Sequence, residues 1–161
     1  MRHLITGVAG FIGSQLADAL LADGDVVAGV DDFYLGKPAH LAVARANPRF
    51  SFVEADVSDV ATATGAFSAL AGDAPPDLVW HLAANSDIAA GVADPSIDFR
   101  RTLQTTFATI EAAKAIGARA IAFASTSAVY GETDKRLTED LGPLLPISNY
   151  GAAKLDRKSV V

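Results

Sequence analysis

The 161-residue sequence contains no cysteine, so thiolate catalysis, thiolate metal sites and disulfide staples are excluded at the outset. Cations are also scarce: 13 Lys and Arg stand against 19 Asp and Glu, for a net charge of −6. The basic side chains are scattered, which argues against a nucleic-acid backbone or an anionic membrane as partner. No apolar run reaches the length of a bilayer span, and Met1 to Ile5 leave no room for a leader before the first structured segment, so a soluble, cytoplasmic protein is expected. His3 and His40 lack convergent partners in the sequence. His81, beside Trp80, reads as a packed, hydrogen-bonded structural residue, and no metal site is expected.

Half of the residues are hydrophobic, enough for one core and one domain, 1–161. Short runs rich in Val, Ile and Leu alternate with longer stretches of helical period, which predicts an α/β fold with a doubly wound parallel sheet and helices on both faces. The predicted strands are Arg2 to Thr6, Asp25 to Asp31, Phe50 to Ala55, Asp77 to Ala83 and Ala118 to Ala124. Helices are predicted over Phe11 to Asp23, Val57 to Ala71 and Asp94 to Ile116, with Gly24, Gly72 and Gly117 placed as left-handed stops. Between Pro38 and Pro48 the Ala-rich piece reads equally as a short helix or a structured loop. From Ser125 to Asn149, glycines and prolines without periodicity predict a loop over a site, and a last helix starts near Ser148. That helix runs into the charged Asp156-Arg157-Lys158, and a C-terminally truncated chain is expected.

Between the first strand and the first helix stands Gly7-Val8-Ala9-Gly10-Phe11-Ile12-Gly13. Gly7 permits a tight turn, Gly10 lets the backbone approach a pyrophosphate, and Gly13 lets the helix pack close to the sheet. The open N–H groups and positive dipole end of the helix would then hold the phosphates without Lys or Arg. Asp31, 18 residues beyond Gly13 and followed by Asp32, ends the second strand. There it can accept from ribose hydroxyls and repel a 2′-phosphate, favouring NAD over NADP.

The second constellation is Tyr150-Gly151-Ala152-Ala153-Lys154. A spacing of four on a helix puts phenol and ammonium on one face, and a phenol that ionises near pH 10 needs such a cation to serve as a base near neutrality. Upstream, an apolar strand ends in Ser125-Thr126-Ser127, followed by Ala128-Val129-Tyr130-Gly131.

Together with His81-Leu82-Ala83-Ala84, these motifs resemble the extended short-chain dehydrogenases/reductases, specifically their nucleotide-sugar epimerase and dehydratase group, over nearly the whole chain. The resemblance implies a Rossmann-type fold and bound NAD. It implies Thr126 as the Ser/Thr of the site, Tyr150 as acid/base, and Lys154 as the residue that orients the ribose and assists the tyrosine. It also places Asp56 and Val57 at the adenine, and Phe11, Ile12, Leu82, Ala83 and Ala84 along the cofactor. Dehydratases of the group carry Asp-Glu directly after the catalytic hydroxyl, where this chain has Ser127 and Ala128. That difference points to an epimerase of the UDP-glucose 4-epimerase branch acting on a UDP-hexose. Family chains are roughly twice this length and usually homodimeric. Where they often carry Asn and then Gly-Thr, this chain has Thr102 and Thr105-Thr106. The residues Asn85, Ser86 and Asp87 are expected near the sugar without an assigned role. An NAD-binding domain without turnover, or a dehydratase, decarboxylase or reductase of the same superfamily, remains the alternative.

Overall fold

The computed structural model describes residues 1–156; Arg157 and Lys158 of the charged run lie outside the described residues. Two compact units share the chain, one of residues 1–83 and 105–124, the other of residues 84–104 and 125 onward.

The first unit is a five-stranded parallel sheet of β1 (Arg2–Thr6), β2 (Val26–Asp31), β3 (Phe50–Glu54), β4 (Leu78–His81) and β5 (Ile121–Phe123) in the order β3-β2-β1-β4-β5. Strand β1 is central and apolar on both faces, so alternate residues feed two cores. Leu4 joins Val79, Phe67 and Ala112 under α3 (Val60–Ala71) and α6 (Thr105–Ala115). Ile5 joins Val8, Ala17 and Leu21 of α1 (Phe11–Ala22), with Leu41 and Ala44 on the other face. This is the doubly wound sheet that the alternating pattern predicts.

The short α2 (Ala42–Arg45) follows a 3-10 turn at Pro38–Leu41, which resolves the ambiguous piece after β2 as a helix. Gly24, Gly72 and Gly117 all adopt positive φ, as expected of helix stops. Asp59 caps α3 by accepting from the Thr62 N–H at 2.8 Å, so that helix starts three residues later than its period predicts. Strands β4 and β5 are shorter than expected. Backbone pairing between β1 and β4 ends at Thr6 and His81, and β5 pairs with β4 over only three residues.

The second unit holds α4 (Ile88–Ala93), α5 (Pro95–Asp98), a π-helical segment Phe99–Gln104, a 3-10 turn at Ser127–Tyr130 and α7 (Asn149–Asp156). The single helix expected over 94–116 is therefore three segments, α5, the π-helical turns and α6. Helix α4, over which the sequence pattern predicts no element, begins where Asp87 accepts from the Ala90 N–H at 3.0 Å. Among the described residues, no helix is long and apolar enough to cross a membrane.

Candidate functional site

In the first unit, the turn after β1 is built on Gly7, whose φ of +71° is left-handed. Its N–H donates to the Val30 carbonyl at 2.9 Å, and its own carbonyl accepts from Gly10 N–H at 3.1 Å. Gly10 is the extended N-cap of α1 and offers no capping side chain. The N–H groups of Phe11, Ile12 and Gly13 therefore lie beyond the reach of any carbonyl one turn back. The large side chains beside them stand in the open, Phe11 at 81% and Ile12 at 65% exposure. Gly13 presses onto the turn: a Cβ there would sit 2.3 Å from the Gly7 oxygen.

Asp31, at the end of β2, is nearly buried. One carboxylate oxygen accepts from the Ala9 N–H at 2.9 Å and the other from the Phe33 N–H at 2.8 Å. The Ala9 carbonyl is held in turn by the Lys37 N–H at 3.1 Å and by His40 Nδ1 at 2.8 Å, which fixes the hydrogen on that nitrogen. His40, without partners as far as the sequence shows, thus has one; the contact spans 31 residues, which no local motif signals. His3 likewise has partners in Asp25 at 3.1 Å and Trp80 at 3.1 Å. Burial raises the Asp31 carboxyl above the ordinary 3.8, against the lowering effect of the Phe33 and Ala9 N–H bonds. A carboxyl raised in the folded state stabilises most below its unfolded value, and that contribution is lost as pH rises through the folded value. Carbon-13 titration by NMR should therefore place the Asp31 midpoint above 3.8; a midpoint at or below it would contradict this burial.

Asp32 accepts from the Tyr34 N–H at 3.1 Å and Asp56 from the Ser58 N–H at 2.9 Å, each in a local turn. The Val57 side chain is committed to the core with Leu4 and Phe67, so only its backbone is available to a ligand. Leu82 and Ala83 lie against Gly7, with the Ala83 nitrogen 2.8 Å from where a Gly7 Cβ would be. Helix-start donors with no capping side chain, an adjacent buried carboxylate and glycines that admit no side chain fit a dinucleotide's pyrophosphate and ribose.

In the second unit, Thr126 N-caps the 3-10 turn, its Oγ1 accepting from the Ala128 N–H at 3.2 Å. The Thr126 hydroxyl hydrogen can still be donated, since its oxygen is the acceptor in that bond. Helix α7 lies directly on this turn, because a Cβ on Gly151 would be 2.7 Å from the Ala128 carbonyl oxygen and 2.9 Å from Pro146. Tyr150 is half-buried, and Lys154 is buried at 2% exposure with its Nζ 5.7 Å from the Tyr150 ring centroid. The expected phenol–ammonium pair is therefore together on one helix face. Ala84, half-buried, opens this unit.

Asn85 is buried and organises the loop after it. Its Nδ2 donates to Asp98 Oδ1 and to the Asp87 carbonyl, both at 2.8 Å, while its N–H donates to Thr102 Oγ1 at 3.1 Å. Asp98 carries no motif that singles it out in the sequence; its only signal is Gly91, where a Cβ would lie 2.0 Å from the Asp98 carboxylate. Ser86 and Asp87 remain exposed. Among the described residues, no three His, Asp or Glu side chains converge as metal ligands.

Comparison with known proteins bears on both units. The family model for GDP-mannose 4,6 dehydratase matches residues 4–161. UDP-glucose 4-epimerase of Mycolicibacterium smegmatis is 39% identical over 156 residues, covering 96% of this chain and 48% of that protein. dTDP-glucose 4,6-dehydratase of Streptomyces griseus is 36% identical over 156 residues, 94% of this chain and 45% of that one. Among solved structures, UDP-glucose 4-epimerase from Thermus thermophilus in complex with NAD is similar with a TM-score of 0.87 and 33% identity, over 99% of this chain and 49% of that chain. The UDP-glucose 4-epimerase of Thermotoga maritima with UDP-glucose gives a TM-score of 0.86 at 32% identity, over 99% of this chain and 50% of that chain. The chain thus spans about half the length of the relatives it matches.

Proposed function

The chain belongs to the family described as GDP-mannose 4,6 dehydratase, and from that membership we propose that residues 1–161 form the NAD-binding Rossmann domain of a nucleotide-sugar 4-epimerase whose substrate is a UDP-hexose. The observation that carries the reading is the start of α1, with N–H groups that have no capping side chain, set on the Gly7 turn beside the Asp31 carboxylate. The solved relatives with NAD and with UDP-glucose support it.

When bound, NAD supplies the acceptor and later the donor of a hydride at the sugar carbon. The chain's own residues handle the proton and the cofactor. Tyr150 takes the proton of the ring hydroxyl and returns it after the keto sugar has turned. Lys154, buried beside the phenol ring, stabilises the phenolate and binds ribose. Thr126 donates its remaining hydrogen to the same sugar oxygen. Gly7, Gly10, Phe11, Ile12 and Gly13 hold the pyrophosphate, Asp31 and Asp32 the adenosine ribose, Asp56 and the Val57 backbone the adenine, and Leu82, Ala83 and Ala84 the remainder of the cofactor.

Ser127 and Ala128 favour epimerisation over dehydration, because neither offers the second acid and base that loss of water requires. A homodimer, formed through the face of α6 that leaves Phe107 exposed, and a cytoplasmic location complete the proposal. Calorimetric titration with NAD, NADP and a UDP-hexose tests it. NAD is expected to bind at least about tenfold more tightly than NADP, the equivalent of about 1.4 kcal/mol. Equal affinity would sink the assignment of Asp31.

A further inference from the structure

We propose that His81 is a positioning residue for the glycine turn, acting through the Thr6 hydroxyl to fix the Ala83 amide that lies over Gly7. The inference rests on the cofactor reading above only for its functional consequence; the hydrogen-bond relay itself is a property of the first unit. His81 ends β4 at 1% exposure, and its two ring nitrogens face two hydroxyls. Nδ1 is 2.8 Å from Thr6 Oγ1, and Nε2 is 2.7 Å from Thr106 Oγ1. Thr6 Oγ1 also accepts from the Ala83 N–H at 3.2 Å.

Hydrogen counting fixes the tautomer. A hydroxyl has one hydrogen and two lone pairs. With one lone pair engaged by the Ala83 N–H, Thr6 completes its bonding by donating to a bare His81 Nδ1. The ring hydrogen then sits on Nε2 and donates to Thr106. The opposite tautomer would set two donors against the Thr6 oxygen and strand the hydroxyl hydrogen of a side chain at 0% exposure, an arrangement that buried groups avoid.

The relay matters because of where the sheet stops. Thr6 and His81 are the last paired residues of β1 and β4, and the Leu82 N–H donating to the Thr6 carbonyl at 3.2 Å is the last backbone bond between them. The Thr6 hydroxyl adds the next rung, to Ala83. That amide nitrogen is 2.8 Å from the Cβ position of Gly7, so the same bond sets the surface on which the turn rests. His81 holds the turn by holding the Thr6 hydrogen away from Ala83.

The test uses the 161-residue chain with two readouts, amide hydrogen exchange at Ala83 and the dissociation constant for NAD. His81→Asn keeps an acceptor near the Nδ1 position, whereas His81→Gln reaches the Nε2 position and leaves Thr6 without its acceptor. Thr6→Val removes the hydroxyl at constant shape, and Thr6→Ser keeps it. Ala83 exchange and the NAD dissociation constant are each expected to rise about tenfold in His81→Gln and Thr6→Val, while His81→Asn and Thr6→Ser stay within about twofold, the scale of one buried hydrogen bond. A ring that merely fills space against Phe123, its stacking neighbour at 6.2 Å, would make both His81 variants lose alike, and that result overturns the proposal. So does unchanged Ala83 exchange in Thr6→Val, or faster exchange with unaltered NAD affinity. If the unsubstituted chain binds no NAD, the cofactor reading fails and positioning with it, and the exchange data still decide the relay. Should His81→Gln fail to fold by circular dichroism, the Thr6 pair decides alone.

Discussion

In a full-length protein carrying this chain, Tyr150→Phe is expected, on the proposed function, to lower C4 epimerisation of a UDP-hexose by about 10²–10⁴-fold, the usual worth of a positioned general acid/base, with NAD affinity unchanged. The substitution removes one oxygen and leaves the ring, so the contact between the aromatic face and Lys154 Nζ at 5.7 Å survives. Gly151, which seats α7 on the turn capped by Thr126, is also untouched. What disappears is the phenol hydroxyl, beside a buried cation, that the proposal assigns to proton exchange with the sugar. Retained turnover would sink Tyr150 as the acid/base, whereas loss of NAD binding together with turnover would show that the phenol serves the cofactor instead.

The second large effect is at Gly13. A Cβ there would lie 2.3 Å from the Gly7 oxygen and 2.8 Å from the Val8 Cα, both backbone atoms that cannot rotate aside. Gly13→Ala must therefore push α1 off the sheet, at a cost of about 1–3 kcal/mol or more. In a chain of this size that lowers the melting temperature by roughly 2–12 °C. NAD binding should weaken by more than about tenfold as the helix start leaves the turn. Gly65 in α3 is the control, since its Cβ would meet nothing within 4 Å. Gly65→Ala should stabilise by about 0.5–1 kcal/mol from helix preference alone. Thermal melts of the two variants make the comparison, and equal losses in both would refute the packing account of Gly13.

The contrast between these glycines shows how far the sequence reaches. Gly7, Gly10 and Gly13 are recognisable because their spacing is local, and β1 is recognisable because both its faces are apolar. The Tyr150–Lys154 pair is readable for the same reason, as helical geometry alone brings residues four apart together. The helix at Ile88–Ala93 is not readable, because six residues are too few to display a period and its Asp87 cap resembles any loop aspartate. The π-helical turns at Phe99–Gln104 have no residue signature either, so the period alone predicts one continuous helix. Contacts between distant residues are the harder class. Asp31 reads as a carboxylate awaiting a ribose, yet it is already holding the Ala9 and Phe33 amides. The union of Asn85 with Asp98, and of His81 with Thr6, depends on the fold bringing separate segments into register.

Among the described residues, strand β5 pairs with β4 at the end of the sheet order and carries just Ile121, Ala122 and Phe123. An outermost strand is in general a template on which an extended peptide can be laid without side-chain complementarity. Three residues offer a template only about 10 Å long, so adventitious docking there gains few bonds and is readily reversed. Brevity at this margin thus limits self-adhesion in concentrated solution.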